Sequence, residues 1–246
     1  MITAAAFAFI LLGATIKGVI GIGLPMIAIP MLTLVVGLQD ALAIVVLPTI
    51  VANAWQVWQF RQGGAERVPM RTFLVSGAAG LAFGTWLLAS IPSSWLEVML
   101  SLLLMVYLYQ RLASPDLTLP TEHAVKLAPI AGFASGALHG ATGISGPIGI
   151  TYFHSMRQTR PDFIYSTGLM FLGFTAVQAP MLTTAGFLTK DTFLTGIICV
   201  PAVMLGLALG NAASRRVDAR LFDRLVFLVL VWTSLSLLWP TVSRLQ

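Results

Sequence analysis

The chain has 246 residues, 57% of them hydrophobic and only 9% charged, with a mean hydropathy of +0.90. Average soluble domains carry roughly 25% charged residues, so this composition cannot furnish a water-exposed surface and excludes a soluble protein. The lone Cys199 sits in an apolar run, which excludes a disulfide framework and leaves no metal-ligand cluster, and the net charge of +5 reads as basic loops beside anionic lipid rather than a nucleic-acid surface.

Met1 to Gly13 lacks a basic leading region and no A-x-A motif follows, so it reads as part of the fold rather than as a signal peptide. Residues 3–36 are apolar but broken at the centre by TIKGVIGIGLPM, which is not the interior of a continuous helix. The stretch predicts two helical pieces of about 12 residues, each reaching roughly 18 Å, about half a membrane. Apolar segments follow at about 40–60, 70–90 and 94–111, each of a length suited to a bilayer. A second broken stretch covers 124–156, and segments at about 162–187, 191–211 and 219–240 complete the chain. The fold class is an all-α polytopic membrane protein.

The chain repeats itself. A shift of 122 residues lays KGVIGIGLP (Lys17 to Pro25) on HGATGISGP (His139 to Pro147), pairing Gly18 with Gly140, Gly21 with Gly143, Ile22 with Ile144 and Pro25 with Pro147. The same shift pairs Asn53-Ala-Trp-Gln56 with Thr175-Ala-Val-Gln178. With the register slipped by four, Gly80-Leu-Ala-Phe-Gly84 matches Gly206-Leu-Ala-Leu-Gly210. The domains are therefore two repeats, 1–120 and 121–246, each a broken hairpin plus three helices.

Charge decides the expected topology. Were all eight segments to cross, the basic residues would divide almost evenly, against the positive-inside rule. If the two broken stretches are re-entrant hairpins, Arg61, Arg67, Arg71, Arg111, Lys126, Arg157, Arg160, Arg215, Arg216, Arg220 and Arg224 share one face. Only Lys190 and Arg244 face the other side, and Lys17 lies within the first hairpin. The expectation is thus a pair of inverted repeats in the bacterial inner membrane, with both termini periplasmic.

Inverted repeats with broken helices are the architecture of secondary transporters, whose substrate sites form where helix ends meet near the midplane. A piece starting at Pro25 or Pro147 has proline at a favoured first position, with Ser145 placed to cap the second. Such starts leave unpartnered N–H groups and the positive dipole end, which suit an anion. Lys17 and His139 occupy equivalent positions, and an ionisable residue inside a membrane segment points to function. Lys17 can neutralise an anion, and His139 can hold or relay a coupling proton; the plainer reading makes Lys17 a snorkelling or structural residue. Asn53, Gln56 and Gln59 share a helical face, matched in part by Thr175 and Gln178, and such residues line sites or join helices. The glycine pairs at 80/84 and 206/210 read as close helix packing. The expected substrate-binding set is Lys17, Gly21, Gly23, Pro25, Asn53, Gln56, His139, Thr142, Gly143, Ser145, Gly146, Pro147 and Gln178. No catalytic residue, cofactor or metal is expected.

GATIKGVIGIGLPMIAIPML in the first half and SGALHGATGISGPIGITYF in the second resemble the paired glycine-rich, proline-containing motifs of the sulfite exporter TauE/SafE family. The likeness runs over roughly 5–240, including size and duplication. It implies a carrier of sulfite, an organosulfonate or a related organic anion. The first loop reads GIGLP where the family pattern has a denser glycine run. Three alternatives stand beside this reading: an anion channel, a carboxylate transporter and an intramembrane serine protease. The aquaporin Asn-Pro-Ala signature is absent from both loops. Gly143-Ile-Ser-Gly146 matches a protease nucleophile motif, but no histidine lies on a later helix to act as its base. Cargo, direction of transport, coupling ion and oligomeric state stay open at this stage.

Overall fold

A computed structural model describes residues 2–62, 69–113 and 118–214, together with Val231 and Leu235. The described residues form helices without strands: α1 (Ile2–Ile20), α2 (Leu24–Val36), α3 (Leu38–Gln59), α4 (Met70–Ser90), α5 (Ser93–Ala113) and α6 (Thr121–Thr142). A five-residue π-helical turn (Gly146–Ile150), α7 (Thr151–Ser155), α8 (Arg160–Thr184), α9 (Lys190–Ile198) and α10 (Val200–Ala213) follow. The segment expected at 219–240 falls almost wholly outside the described residues, as do Arg67, Arg215, Arg216, Arg220, Arg224 and Arg244.

Local chemistry sets the element ends. The Thr159 hydroxyl accepts from the Asp162 N–H to start α8, and Thr189 and Thr192 form a reciprocal capping box at α9. The expected segment 191–211 is two helices, broken at Cys199, because Pro201 has no N–H to offer the Ile197 carbonyl. Four stretches of the described chain are long and apolar enough to cross a membrane: Ile2–Ile20, Leu38–Gln59, Met70–Ser90 and Lys190–Ala213, the last being α9 and α10 together. Large apolar side chains such as Val75, Trp86, Ile130 and Leu205 point outward, as a lipid-facing surface requires.

Both broken stretches fold back on themselves. A side-chain carbon on Gly13 would lie 2.8 Å from the Leu24 carbonyl oxygen, although eleven residues of straight helix would separate them by about 16 Å. In the second stretch the Leu119 N–H donates to the Ser155 carbonyl at 2.9 Å, and the Tyr152 hydroxyl donates to the Ala124 carbonyl at 2.8 Å. The ends of that segment therefore lie side by side. The pieces differ from those expected at about 12 residues. α1 has 19 residues and α6 has 22, lengths of about 28 and 33 Å. Gly18 and Gly140, expected in the loops, are inside these helices. They do not break the helix because each is a point of close approach to another backbone. The break comes later, at Gly21 and Gly23 (φ 90° and 132°) and at Gly143 (φ 72°), conformations that glycine alone adopts readily.

The glycines specify which helices pack. α1 lies on α10 and α6 lies on α4, so each long hairpin helix packs on the opposite half of the chain. A carbon on Gly18 would crowd the Leu207 carbonyl and Gly210, and one on Gly140 would crowd the Leu81 carbonyl and Gly84. Likewise Gly206 abuts Leu11 and Thr15, while Gly80 abuts Phe133 and Ala137. Each contact on one side recurs on the other at the offsets carried by the sequence, 122 for the hairpins and 126 for the later helices. α3 and α8 pack side by side between these pairs. Beneath the second hairpin, Phe73 packs against Tyr152, Phe153 and Phe174 at ring separations of 5.2, 4.9 and 6.0 Å.

Candidate functional site

Two polar centres lie inside this apolar body, one at each hairpin, both held against α3 and α8. In the first, Lys17 is buried on the last turn of α1. Its ammonium donates to Asn53 Oδ1 at 2.8 Å and to the Gly21 carbonyl at 3.4 Å, and sits 5.8 Å from the centre of the Phe171 ring. Gln56 Nε2 donates to the same Gly21 carbonyl at 2.7 Å. Asn53 passes the chain on, its Nδ2 donating to the Thr49 carbonyl at 2.7 Å. Asn53 and Gln56 are buried, whereas Gln59, one turn further along α3, is exposed. No aspartate or glutamate among the described residues is buried. Within that set, then, the Lys17 ammonium is enclosed by neutral oxygens and an aromatic face.

The second centre is built around His139, also buried. Gln178 Nε2 donates to the His139 carbonyl at 3.0 Å. The imidazole has Ser145 Oγ 3.4 Å from Nδ1 and Thr175 Oγ1 3.5 Å from Nε2. Thr175 spends its proton on the Phe171 carbonyl at 2.6 Å, so it can only accept from the ring. The network therefore assigns the proton to Nε2, leaving Nδ1 to accept from the Ser145 hydroxyl. His139 also meets Phe171 and Phe174, with ring centres 6.0 and 5.6 Å away. The Phe171 ring thus stands between Lys17 and His139.

A small cavity opens at this second centre. Pro25 and Ile29 of α2 line it from the first hairpin, and Leu42, Val45, Val46 and Thr49 from α3. His139, Gly143, Thr175 and Gln178 complete it. It has room for about one water molecule. Lys17 does not line it.

The structure brings Lys17, Gly21, Asn53 and Gln56 together at one centre, and Pro25, His139, Gly143 and Gln178 at the other. The two turns meet α3 and α8 at different positions along those helices. The first turn meets Gln56 and Ile164, the second Leu42 and, through the His139 carbonyl, Gln178. On α3 and on α8 alike these contacts are fourteen residues apart, a rise of about 21 Å along the helix, while Pro25 beside the first turn and Gly143 of the second line one cavity. The remaining expected residues have local partners. Ser145 precedes the second start without a side-chain capping bond, its hydroxyl being directed to His139. Gly146 and Pro147 open a continuous helical run, Gly146–Ser155, which is π-helical over its first five residues. Thr142 closes its own turn, donating to the Leu138 carbonyl at 2.8 Å and accepting from the Ile144 N–H at 3.3 Å. Gly23 is the backbone cap of α2.

Ser145 and His139 do meet, although sequence spacing on later helices gave no base for that serine. The contact arises within one hairpin, and the serine is completely buried, out of reach of a peptide bond. Three contributors went unrecognised in the sequence: Thr49, Phe171 and Arg160. Thr49 and Phe171 stand 122 residues apart, the repeat offset, so the internal alignment held the signal. Arg160 donates to the Val19 carbonyl at 3.0 Å, fastening the end of α1 to the start of α8; nothing in its local sequence marks that contact.

Comparison with curated proteins and with solved structures yields no match. The sequence model of one family, described as sulfite exporter TauE/SafE, matches residues 5–237. That span takes in both hairpins, both polar centres and the glycine contacts that place them. The chain is a multi-pass membrane transporter, not an enzyme, and belongs to the sulfite exporter TauE/SafE family.

Proposed function

We propose that the protein is a secondary carrier of a small anion, sulfite or an organosulfonate, working by alternating access across the bacterial inner membrane. One observation carries the reading: the Lys17 amino group is buried and meets no buried carboxylate among the described residues. An uncompensated buried charge is costly, and an arriving anion supplies the missing counter-charge. The two halves act as inverted repeats with re-entrant hairpins and periplasmic termini. The reciprocal glycine contacts and the adjacent ends of the second hairpin support that arrangement, as does the distribution of basic residues along the sequence.

His139 is the proton-coupling candidate. Around it stand Ser145 from its own hairpin, Phe171, Phe174, Thr175 and Gln178 from α8, and Thr49 from α3 across the cavity. A second buried ionisable group, Lys17, lies beyond the Phe171 ring. Proton and anion then occupy neighbouring centres sharing one aromatic wall.

The test is a thermal-shift titration of detergent-purified protein with sulfite, isethionate, sulfoacetate, taurine and carboxylate analogues, followed by uptake into proteoliposomes. A ligand that binds only the folded state raises apparent stability by mass action. Stabilisation by sulfite or a sulfonate, weakened roughly 100-fold in Lys17→Gln, is the expected result, since hydrogen bonds to charged groups contribute about 1.5–3 kcal/mol each. Stabilisation by carboxylates alone would discard the sulfur chemistry. Unchanged anion affinity in Lys17→Gln would remove Lys17 from the site.

A further inference from the structure

Thr49 stands out among the buried threonines. In a helix a threonine hydroxyl ordinarily donates back to the carbonyl four residues earlier. Thr33 does so to Ile29 at 2.8 Å, Thr167 to Phe163 at 2.7 Å and Thr175 to Phe171 at 2.6 Å. Thr49 is 2% exposed, yet its hydroxyl has no hydrogen-bond partner. A buried hydroxyl without a partner costs about 1–3 kcal/mol. It lines the cavity at the second centre, together with His139, Thr175 and Gln178.

The surroundings indicate what would satisfy it. Gln178 Nε2 gives one proton to the His139 carbonyl, and an amide nitrogen carries a second. The cavity therefore gathers donors from α3 and α8, with no buried carboxylate among the described residues to repel an anion. Asn53 ties this wall to the cation: it accepts from the Lys17 ammonium and donates to the Thr49 carbonyl. At the matched position of the other half stands Phe171, whose ring fills the corresponding space beside Lys17. The place is open on one side only because a threonine is there instead of a phenylalanine. Room for about one water molecule corresponds to a single oxygen atom.

We propose that this cavity is the hydrogen-bonding half of the anion site, and that Thr49 is a specificity-determining residue whose hydroxyl donates to one oxygen of the bound oxyanion. The assignment rests on the carrier reading above and adds to it a residue and a chemistry. It makes the site selective for an acceptor oxygen, with Lys17 supplying charge through the Asn53 link and Thr49 supplying direction.

Thr49→Val removes the hydroxyl while keeping the shape, and Thr49→Ser restores the hydroxyl. Thr85→Val is the control: Thr85 is also buried with an unpartnered hydroxyl, but it sits where α4 meets Gly140, away from the cavity. The measurement is the half-saturating concentration of sulfite, and separately of isethionate, for thermal stabilisation of the full chain in detergent. The expected result is a roughly 10-fold rise for Thr49→Val, near-normal values for Thr49→Ser, and no change for Thr85→Val. Wild-type affinity in Thr49→Val, or failure of the serine to restore binding, overturns the proposal while leaving the carrier reading standing. Should Thr49→Val not fold, Thr49→Ala carries the same test with the same expected loss. Wild-type protein that neither anion stabilises, with Lys17→Gln equally silent, overturns both readings.

Discussion

The two polar centres share a plan and differ in what fills it. Each hairpin presents an ionisable residue four positions before its turn glycine, Lys17 before Gly21 and His139 before Gly143. Each faces a polar pair on the adjacent long helix, Asn53 with Gln56 and Thr175 with Gln178. At the first centre a long cation and the Phe171 ring take up the space, and the lysine is anchored by Asn53 and Gly21. At the second a flat imidazole and a short threonine leave a cavity. The lesson is that one pattern of residues at one offset can be filled differently: side-chain volume closes the first centre with an amine and a ring and leaves a cavity at the second.

Several changes can break or sharpen that comparison. The largest effect is expected where the scaffold is held. A side chain on Gly84 or on its counterpart Gly210 would collide with the backbone of the opposing helix, at Ala137 and Thr15 respectively. Gly84→Val and Gly210→Val are therefore each expected to destabilise the protein by more than about 3 kcal/mol, because overpacking against backbone cannot relax. Thermal unfolding in detergent would measure this. If only one of the two variants suffers, the halves are not held by equivalent contacts.

An intermediate effect is expected at His139. The variant His139→Gln keeps hydrogen-bonding capacity but cannot take a proton in the relevant range. Anion binding should persist while the pH dependence of uptake into proteoliposomes flattens. Full pH-dependent transport by this variant would assign proton coupling elsewhere.

The smallest effect belongs to the wall between the centres. Phe171→Leu removes a ring face 5.8 Å from the Lys17 ammonium, an interaction of about 0.5–1 kcal/mol or more when desolvated. About a threefold weakening of anion stabilisation is expected in the same titration. A gain in affinity would show instead that the ring competes with substrate for the lysine.

Much of this was legible in the sequence because it depends on period and spacing. Apolar runs of bilayer length could only be membrane helices, and α4 falls where its segment was expected, at 70–90. The repeat offset named the matched pairs Lys17/His139 and Gln56/Gln178 before any coordinates existed. What composition could not reveal was where each hairpin breaks. Glycine weakens a helix when exposed to water but permits close contact when another backbone lies against it, so Gly18 and Gly140 stay helical while Gly21 and Gly143 turn.

By itself, then, the sequence determined the class of molecule, its duplication and the two ionisable residues placed inside it, since hydropathy, periodicity and internal similarity are properties of the chain alone. Only the tertiary structure decided that Pro25 and Gly143 border one cavity, that Ser145 meets His139 rather than capping a helix start, and that Thr49 is left without a partner. Those outcomes depend on which backbones approach each other and on the volume left between side chains brought together from distant parts of the chain. Neither quantity is encoded at any one position.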